Sequence, residues 1–454
     1  MRAAAGAQRA MARRASLLLA AGLYSGAALA QGTDLLTLAR DALLNDPTYT
    51  GARFTQLASA EAEPQARSNL LPNLSASLAE NANRIDYRAD VPGGFAIQKT
   101  FNSWGPALNL SLPVYNAQFW DSLGQSKLTV KQSEAQLAQA RADLLLRVAQ
   151  AYFDVLAAQD ALAALSENKK AVSEQLAQAK REFEVGTKTI VDTHEAKARY
   201  DQIDAQEQVA RGDLAVKRSA LQAIIGHDAG ELTPLRDPVA LVAPLPTDAE
   251  AWARSAKAGN YTVLAARAGS EIAHYQTRSA RDAYLPTVNI SGSIQYQRAD
   301  NGSVYIPGNS TQTNSVLGIT LSVPVFTGGY TQSKLREAHA REDKAEQDLE
   351  LARRNAEQSA RQSYTGVDYG LAQVNALESA EVSAKTQLES TVLGYHVGMR
   401  VNLDVLNANT QLFNTQRDLK KARYDFLVNG LKLKAAAGAL VDRDIEVVNA
   451  LLLK

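Results

Sequence analysis

The sequence predicts a mostly α-helical chain that also carries four transmembrane β-strands, and three observations lead there. From Gln125 to Val185 there is no glycine or proline, and such a run, if wholly helical, extends roughly 90 Å at about 1.5 Å per residue. Short stretches of apolar–polar alternation stand apart from it, around Leu108–Leu112, Val288–Tyr296 and Leu317–Val323, and a period of two marks a strand with one apolar face. The design also occurs twice: Phe183 to Gly226 lies over Tyr395 to Gly438 without a gap, 212 residues on at both ends, and an ordered series of such matches marks an internal repeat.

Composition limits the function before any motif is read. The chain has 454 residues, 48 Lys+Arg against 48 Asp+Glu, and no cysteine, so disulfides, thiolate metal sites and a cysteine nucleophile are excluded. Zero net charge leaves no basic excess to neutralise phosphates, which argues against nucleic acid as a partner. Arg2, Arg9, Arg13 and Arg14 precede the apolar stretch Ser16 to Ala28, and Ala28-Leu29-Ala30 follows. This is the pattern of a secretory signal peptide over residues 1–30, too short an apolar run to span a bilayer. Its removal leaves 44 basic and 48 acidic residues, an exported, mildly acidic chain. No later segment has the length of a transmembrane helix, so membrane insertion would require a closed β-barrel.

Each unit runs in the same order. In the first, residues 31–240, helical sequence leads to strands over about 73–87 and 101–113, a long helix over about 121–185, a tight turn and a helix over 187–226. In the second, residues 241–454, the strands fall at about 287–298 and 314–324, the long helix at about 330–397, and the return helix at 399–438, ahead of a C-terminal segment. Leu71-Pro72 matches Leu285-Pro286, Pro113-Val114-Tyr115 matches Pro324-Val325-Phe326, and Tyr152 matches Tyr364. Apolar residues on the first long helix recur at steps of three and four, through Leu145, Val148, Tyr152 and Val155, then Leu165, Val172, Leu176, Ala179 and Phe183, a spacing that specifies coiled-coil packing. Gly186 and Gly398 stand where two antiparallel helices must reverse, and glycine supplies the left-handed cap. Gly226 to Pro246 and the segment after Gly438 are expected to pack around the helices.

The strands have the length of tilted transmembrane strands, with Tyr87, Phe101, Trp104, Tyr115, Tyr296 and Phe326 as candidate interfacial aromatics. Alternation alone equally fits a soluble sheet packed on one face. Four strands cannot close a barrel and open edges are forbidden in lipid, so a membrane role requires several chains to pool strands. Three chains give a 12-stranded β-barrel above a ring of long α-helical coiled-coil hairpins.

With these features in place the chain resembles the TolC family of outer-membrane export ducts over nearly the whole mature sequence. The resemblance rests on the repeat, the Leu-Pro strand starts, the prolines at Pro113 and Pro324, and Gly394-Tyr395-His396-Val397-Gly398-Met399-Arg400 followed by Asp404-Val405-Leu406. It implies a homotrimer in the lipid of the outer membrane of a Gram-negative bacterium, with a helical tunnel across the periplasm. It also implies a periplasmic adaptor (membrane fusion) protein and an inner-membrane transporter of the ABC or RND type, and no cofactor. The absence of a lipidated cysteine looks more like the protein-secretion and multipurpose members than the lipoprotein members.

Three sets of site residues follow from the resemblance. The pore constriction maps to Asp404 and Asn407, where the amide replaces a second acid, and to Asp192 and Glu195 in the first unit. Spacing of i and i+3 puts each pair on one helical face, and a trimer would gather up to nine carboxylates, favouring cations. Acids in a first helical turn are also favoured by the helix dipole, which is the plainer reading of the same residues. The tip latch maps to Tyr395 and Arg400, bonded to Asp192 on a neighbouring helix within or between protomers. Adaptor docking maps to the turns at Gly186 and Gly398. An enzyme has little support: His194, His227, His274, His339 and His396 are scattered, and no zinc-helix, nucleophile-elbow or phosphate-loop motif is present. A non-porous, secreted trimeric coiled coil shares the heptads and the leader, but leaves the strand pairs between the helices unexplained.

Overall fold

The structure, a computed structural model, describes residues 33–453 apart from 89, 91, 188 and 301–307. The expected signal peptide lies outside the described residues. Three helices come first, α1 (Leu35–Asn45), α2 (Pro47–Ala60) and α3 (Ala62–Ser68). The break between the first two follows from Asp46, whose carboxylate accepts from Tyr49 N at 2.7 Å while Pro47 occupies the first helical position, an N-cap with a preset φ. Strands β1 (Asn73–Arg88) and β2 (Ala96–Tyr115), long helix α4 (Ala117–Glu184) and helix α5 (Ile190–Ile225) complete the first half. The second half holds α6 (Ala249–Gly259), α7 (Tyr261–Asp282), β3 (Thr287–Asp300), β4 (Ser310–Ser322), α8 (Tyr330–His396), α9 (Asn402–Ala436) and α10 (Asp442–Asn449).

The strands form one antiparallel sheet in the order β1-β2-β3-β4, so among the described residues both β1 and β4 keep a free edge. Its register sorts the side chains. Leu74 lies opposite Leu110, Leu110 opposite Gly292 and Gly292 opposite Leu317; Leu112, Ile290 and Ile319 form the next row. The reverse face carries Ser75, Asn109 and Ser293 in one row and Asn73, Ser111 and Ser291 in another. The apolar face is uncovered: Leu317 is 78% exposed. Trp104 and Tyr296, with ring centroids 6.4 Å apart, stand at one margin of the apolar band, and Tyr115, paired with Val288, stands at the other; Phe326, past the end of β4, is 88% exposed. In the row of Trp104 itself the same face turns polar on either side, at Glu80 and Arg298, and the strands run on past the apolar band. Tyr87 and Phe101 depart from the expected girdle. Each falls on the polar face, opposite Ile97 and Asn83 respectively, since each is an odd number of residues from the apolar set.

Helix α4 has 68 residues and α8 has 67, about 100 Å each at ~1.5 Å per residue. The first half of α4 lies along α7, with Gln118 Nε2 donating to Ser279 O and Arg278 paired with Asp121; its second half pairs with α5 and touches α9. The main core sits midway, where Leu144, Leu145, Val148, Tyr152, Phe153 and Leu156 of α4 meet Leu35, Leu38, Leu221, Ile225, Leu433 and Ile445. Leu145, Val148, Tyr152 and Val155 are all buried, as the three-and-four spacing requires. Phe183, at the last turn, is exposed. Around this core the chain's first described residue, its middle segment and its end are stitched together. Thr33 bridges Leu232, Leu235 bridges Leu452, and Leu453 N donates to Pro234 O at 2.9 Å.

Tyr152 ties that belt to the long helix. It is fully buried, and its hydroxyl donates to Thr233 O at 2.6 Å; burial pushes the phenol well above its ordinary range. Tyr152→Phe keeps the ring and removes the bond to a buried carbonyl, so a stability loss of about 1–2 kcal/mol is expected in thermal or denaturant unfolding. An unchanged midpoint would show that the belt does not depend on this bond.

Candidate functional site: the tip of the helical hairpins

The far ends of α4 and α8 turn back through two similar caps. Gly186 has φ +75°, and Thr187 N donates to Glu182 O at 2.9 Å; Gly398 has φ +78°, and Met399 N donates to Gly394 O at 2.8 Å. These six-to-one bonds with a left-handed residue are Schellman caps. A Cβ on either glycine meets nothing within 4 Å, whereas one on Gly394 would lie 2.9 Å from Arg400 Cγ. Gly394 therefore gives Arg400 room to fold back over its turn.

The returning helices open with the two aspartates singled out above. Asp192 accepts from Thr189 N at 3.2 Å and Thr189 Oγ1 at 2.9 Å, and Asp404 accepts from Val401 N at 3.4 Å. Both thus cap α5 and α9, where the helix dipole favours a carboxylate. Continuing along each helix, Glu195 is half-buried and Asn407 exposed. The structure brings the two stripes together through Arg199 of α5, whose Nη2 donates to Asn407 Oδ1 at 3.0 Å. Beneath them, Val172, Ala196, Ile203 and Leu406 form a small apolar cluster, and the buried pair Asn409 Nδ2 to Asn168 Oδ1 at 3.0 Å joins α9 to α4.

Within the protomer the expected latch is rearranged. Tyr395 is only 6% exposed, and its hydroxyl donates to Glu182 Oε2 at 2.7 Å, not to Asp192. The reason is positional: Asp192 is held by its own cap, while the last turn of α8 sets Tyr395 against the last turn of α4. Gln178 Nε2 donates to the other oxygen of Glu182 at 2.8 Å and orients it. Burial raises the Tyr395 phenol strongly, reinforced by Glu182 and by the nearby charge of Asp192, so it stays a donor at neutral pH. Arg400 lies 3.8 Å from Asp404, an exposed pair on its own turn, instead of reaching Asp192. Glu182 escaped the sequence reading, although its place four residues before Gly186 set it on the turn. Arg199 also escaped it, although its spacing of seven from Asp192 puts it on the same helical stripe.

Around the turns the surface is apolar. Val185, Ile190, Val191, Val397, Val401 and Leu403 are exposed, and Met399 is 81% exposed.

With this geometry in hand, comparison with known proteins is direct. The family model described as outer membrane efflux protein matches residues 38–227 and 252–439. The outer membrane protein TolC of Vibrio cholerae is 32% identical over 95% of this chain and 96% of its own length. The alkaline protease secretion protein AprF of Pseudomonas aeruginosa is 29% identical over 90% of this chain and 85% of its own. Among solved structures, the outer membrane protein VceC from Vibrio cholerae superposes with a TM-score of 0.76, covering 89% of this chain and 96% of that one at 20% identity. The chain belongs to the outer membrane efflux protein family, the family of TolC.

Proposed function

We propose that three copies of this chain join their sheets into a 12-stranded barrel and their helices into a tunnel beneath it. Proteins or small toxic compounds leave the cell through this duct, delivered by an inner-membrane ABC or RND-type transporter through a periplasmic adaptor. The chain is an outer-membrane channel protein of the secretion and efflux type, and its role is that of a conduit, not of a catalyst. The observation that carries the trimer is the open sheet: one uncovered apolar face, one polar face and two free edges in the same four strands. Lipid accepts the first, a water-filled lumen the second, and neighbouring copies the third. A non-porous coiled coil leaves all three without a partner. The two halves, 31–240 and 241–454, are read as one unit used twice, each bringing a strand pair and a helix hairpin.

At the tip, Asp192, Glu195, Asp404 and Asn407 are assigned to the narrow point of the tunnel, with α5 and α9 turning their polar stripes inward. Tyr395 and Arg400 belong to the latch that holds it closed. Tyr395 acts within the protomer through Glu182, and Arg400 is free to exchange Asp404 for Asp192 of a neighbouring copy. Exposed pairs of this kind contribute about 0–1 kcal/mol each, but three acting on one two-state gate shift its population by up to about 100-fold. Single-channel recording in a planar bilayer tests this. Small, cation-selective steps are expected from the parent, with larger or longer openings in Arg400→Ser and in Asp192→Ala. Parent-like conductance in both variants would refute the latch assignment.

The turns at Gly186 and Gly398, ringed by Val185, Val397 and Met399, supply the apolar, backbone-exposed surface an adaptor needs. Three chains present six such turns, a number that suits a six-membered adaptor ring. Gly398→Leu adds a bulky side chain in open space and about 1–2 kcal/mol of local backbone strain. Trimers are expected to form while the adaptor no longer co-purifies with them; retention of the full complex would exclude this docking surface.

A further inference from the structure

The polar stripe of α5 continues beyond its acids. Asp192, Glu195 and Arg199 follow at i, i+3 and i+7, and Gln202 and Gln206 extend the same line. On α9 the equivalent line is Asp404, Asn407, Gln411 and Asn414. Arg199 is where the two lines touch: Nη2 donates to Asn407 Oδ1 at 3.0 Å and Nη1 to Gln202 Oε1 at 3.1 Å. Both acceptors are neutral amides, and among the described residues Arg199 forms no ion pair. The neighbouring Lys197, by contrast, is matched by Asp201 at 2.6 Å. A full positive charge is therefore held, bonded but not neutralised, at the level of the acids.

We infer that Arg199 is a selectivity-determining residue of the duct, lowering its preference for cations and opening its narrow point to anionic cargo. The inference rests on the reading that these stripes face the lumen. Each chain then brings three carboxylates, Asp192, Glu195 and Asp404, and two guanidiniums, Arg199 and Arg400. Only Arg400 lies within ion-pair distance of one of those acids. Asn407 is part of the device. A carboxylate there would pair with Arg199 and cancel it, whereas an amide fixes the guanidinium through a hydrogen bond and leaves its charge acting on passing ions. In a trimer three such charges converge on one axis. At separations of several ångströms across screened water, removing them changes the ratio of cation to anion permeability by about threefold.

The test is the reversal potential of the full mature trimer in a planar bilayer under a potassium chloride gradient. Arg199→Gln and Asn407→Asp, the second of which neutralises Arg199 in place, are both expected to raise cation over anion permeability by about threefold. Asp404→Asn is expected to lower it. Unchanged selectivity in Arg199→Gln and Asn407→Asp, with a shift in Asp404→Asn, would overturn the role of Arg199 and keep the constriction. Unchanged selectivity in all three would overturn the constriction reading and this inference with it.

Discussion

Backbone hydrogen bonding at a sheet edge is the constraint on which this architecture depends. A strand in hydrocarbon cannot leave its N–H and C=O groups unpaired, since each costs several kcal/mol. Among the described residues nothing pairs with either edge: β1 and β4 are both open, and the faces between them are sorted into apolar and polar by register. The protomer is thus an incomplete object whose strands become stable in lipid only when another copy continues the ladder. The helices inherit the same symmetry. Because each strand pair feeds directly into a long helix, β2 into α4 and β4 into α8, closure of the proposed barrel would arrange the hairpins in a ring below it.

Packing is distributed unevenly along the helices. Midway, a large core and the belt of Thr33, Leu232, Leu235 and Leu452 lock helices from both halves together. Toward the tip the apolar contacts thin to the small cluster around Val172 and Leu406, and polar contacts take over. There, Asn168 and Asn409 bond to each other, and Lys169 reaches Asp204 and Glu207. Buried polar pairs fix register in coiled coils at a cost in stability, which suits a region where one helix alignment must be held with few apolar contacts. The caps at Gly186 and Gly398 complete the pattern, with exposed apolar side chains at the end least able to hide them.

Much of this was legible in the residues because the features are local and periodic. A glycine- and proline-free run, a period of two in Leu108–Leu112 and Leu317–Val323, and a glycine at each reversal are properties of consecutive residues. What escaped depended on partners distant in sequence. That Tyr395 meets Glu182, and Arg199 meets Asn407, is set by how α8 lies on α4 and α5 on α9, which no spacing within one helix encodes. The strand faces of Tyr87 and Phe101 were misread because aromatic character was weighed ahead of parity. The division of the leading helical segment at Asp46-Pro47 is also local, written in a cap motif of two consecutive residues.

The most direct test of the central claim is a disulfide across the open edges. The chain has no cysteine of its own, and within one sheet β1 and β4 stand three strand spacings apart, about 14 Å, beyond the reach of a disulfide. A cysteine at Ser75 in β1, combined in turn with one at successive polar-face positions of β4 such as Gly318 and Thr320, should give covalent species up to three chains on oxidation in outer membranes. Cross-linking that peaks at one register and stops at three chains is the result predicted here. Single chains at every register, from protein that is folded and inserted, would contradict it.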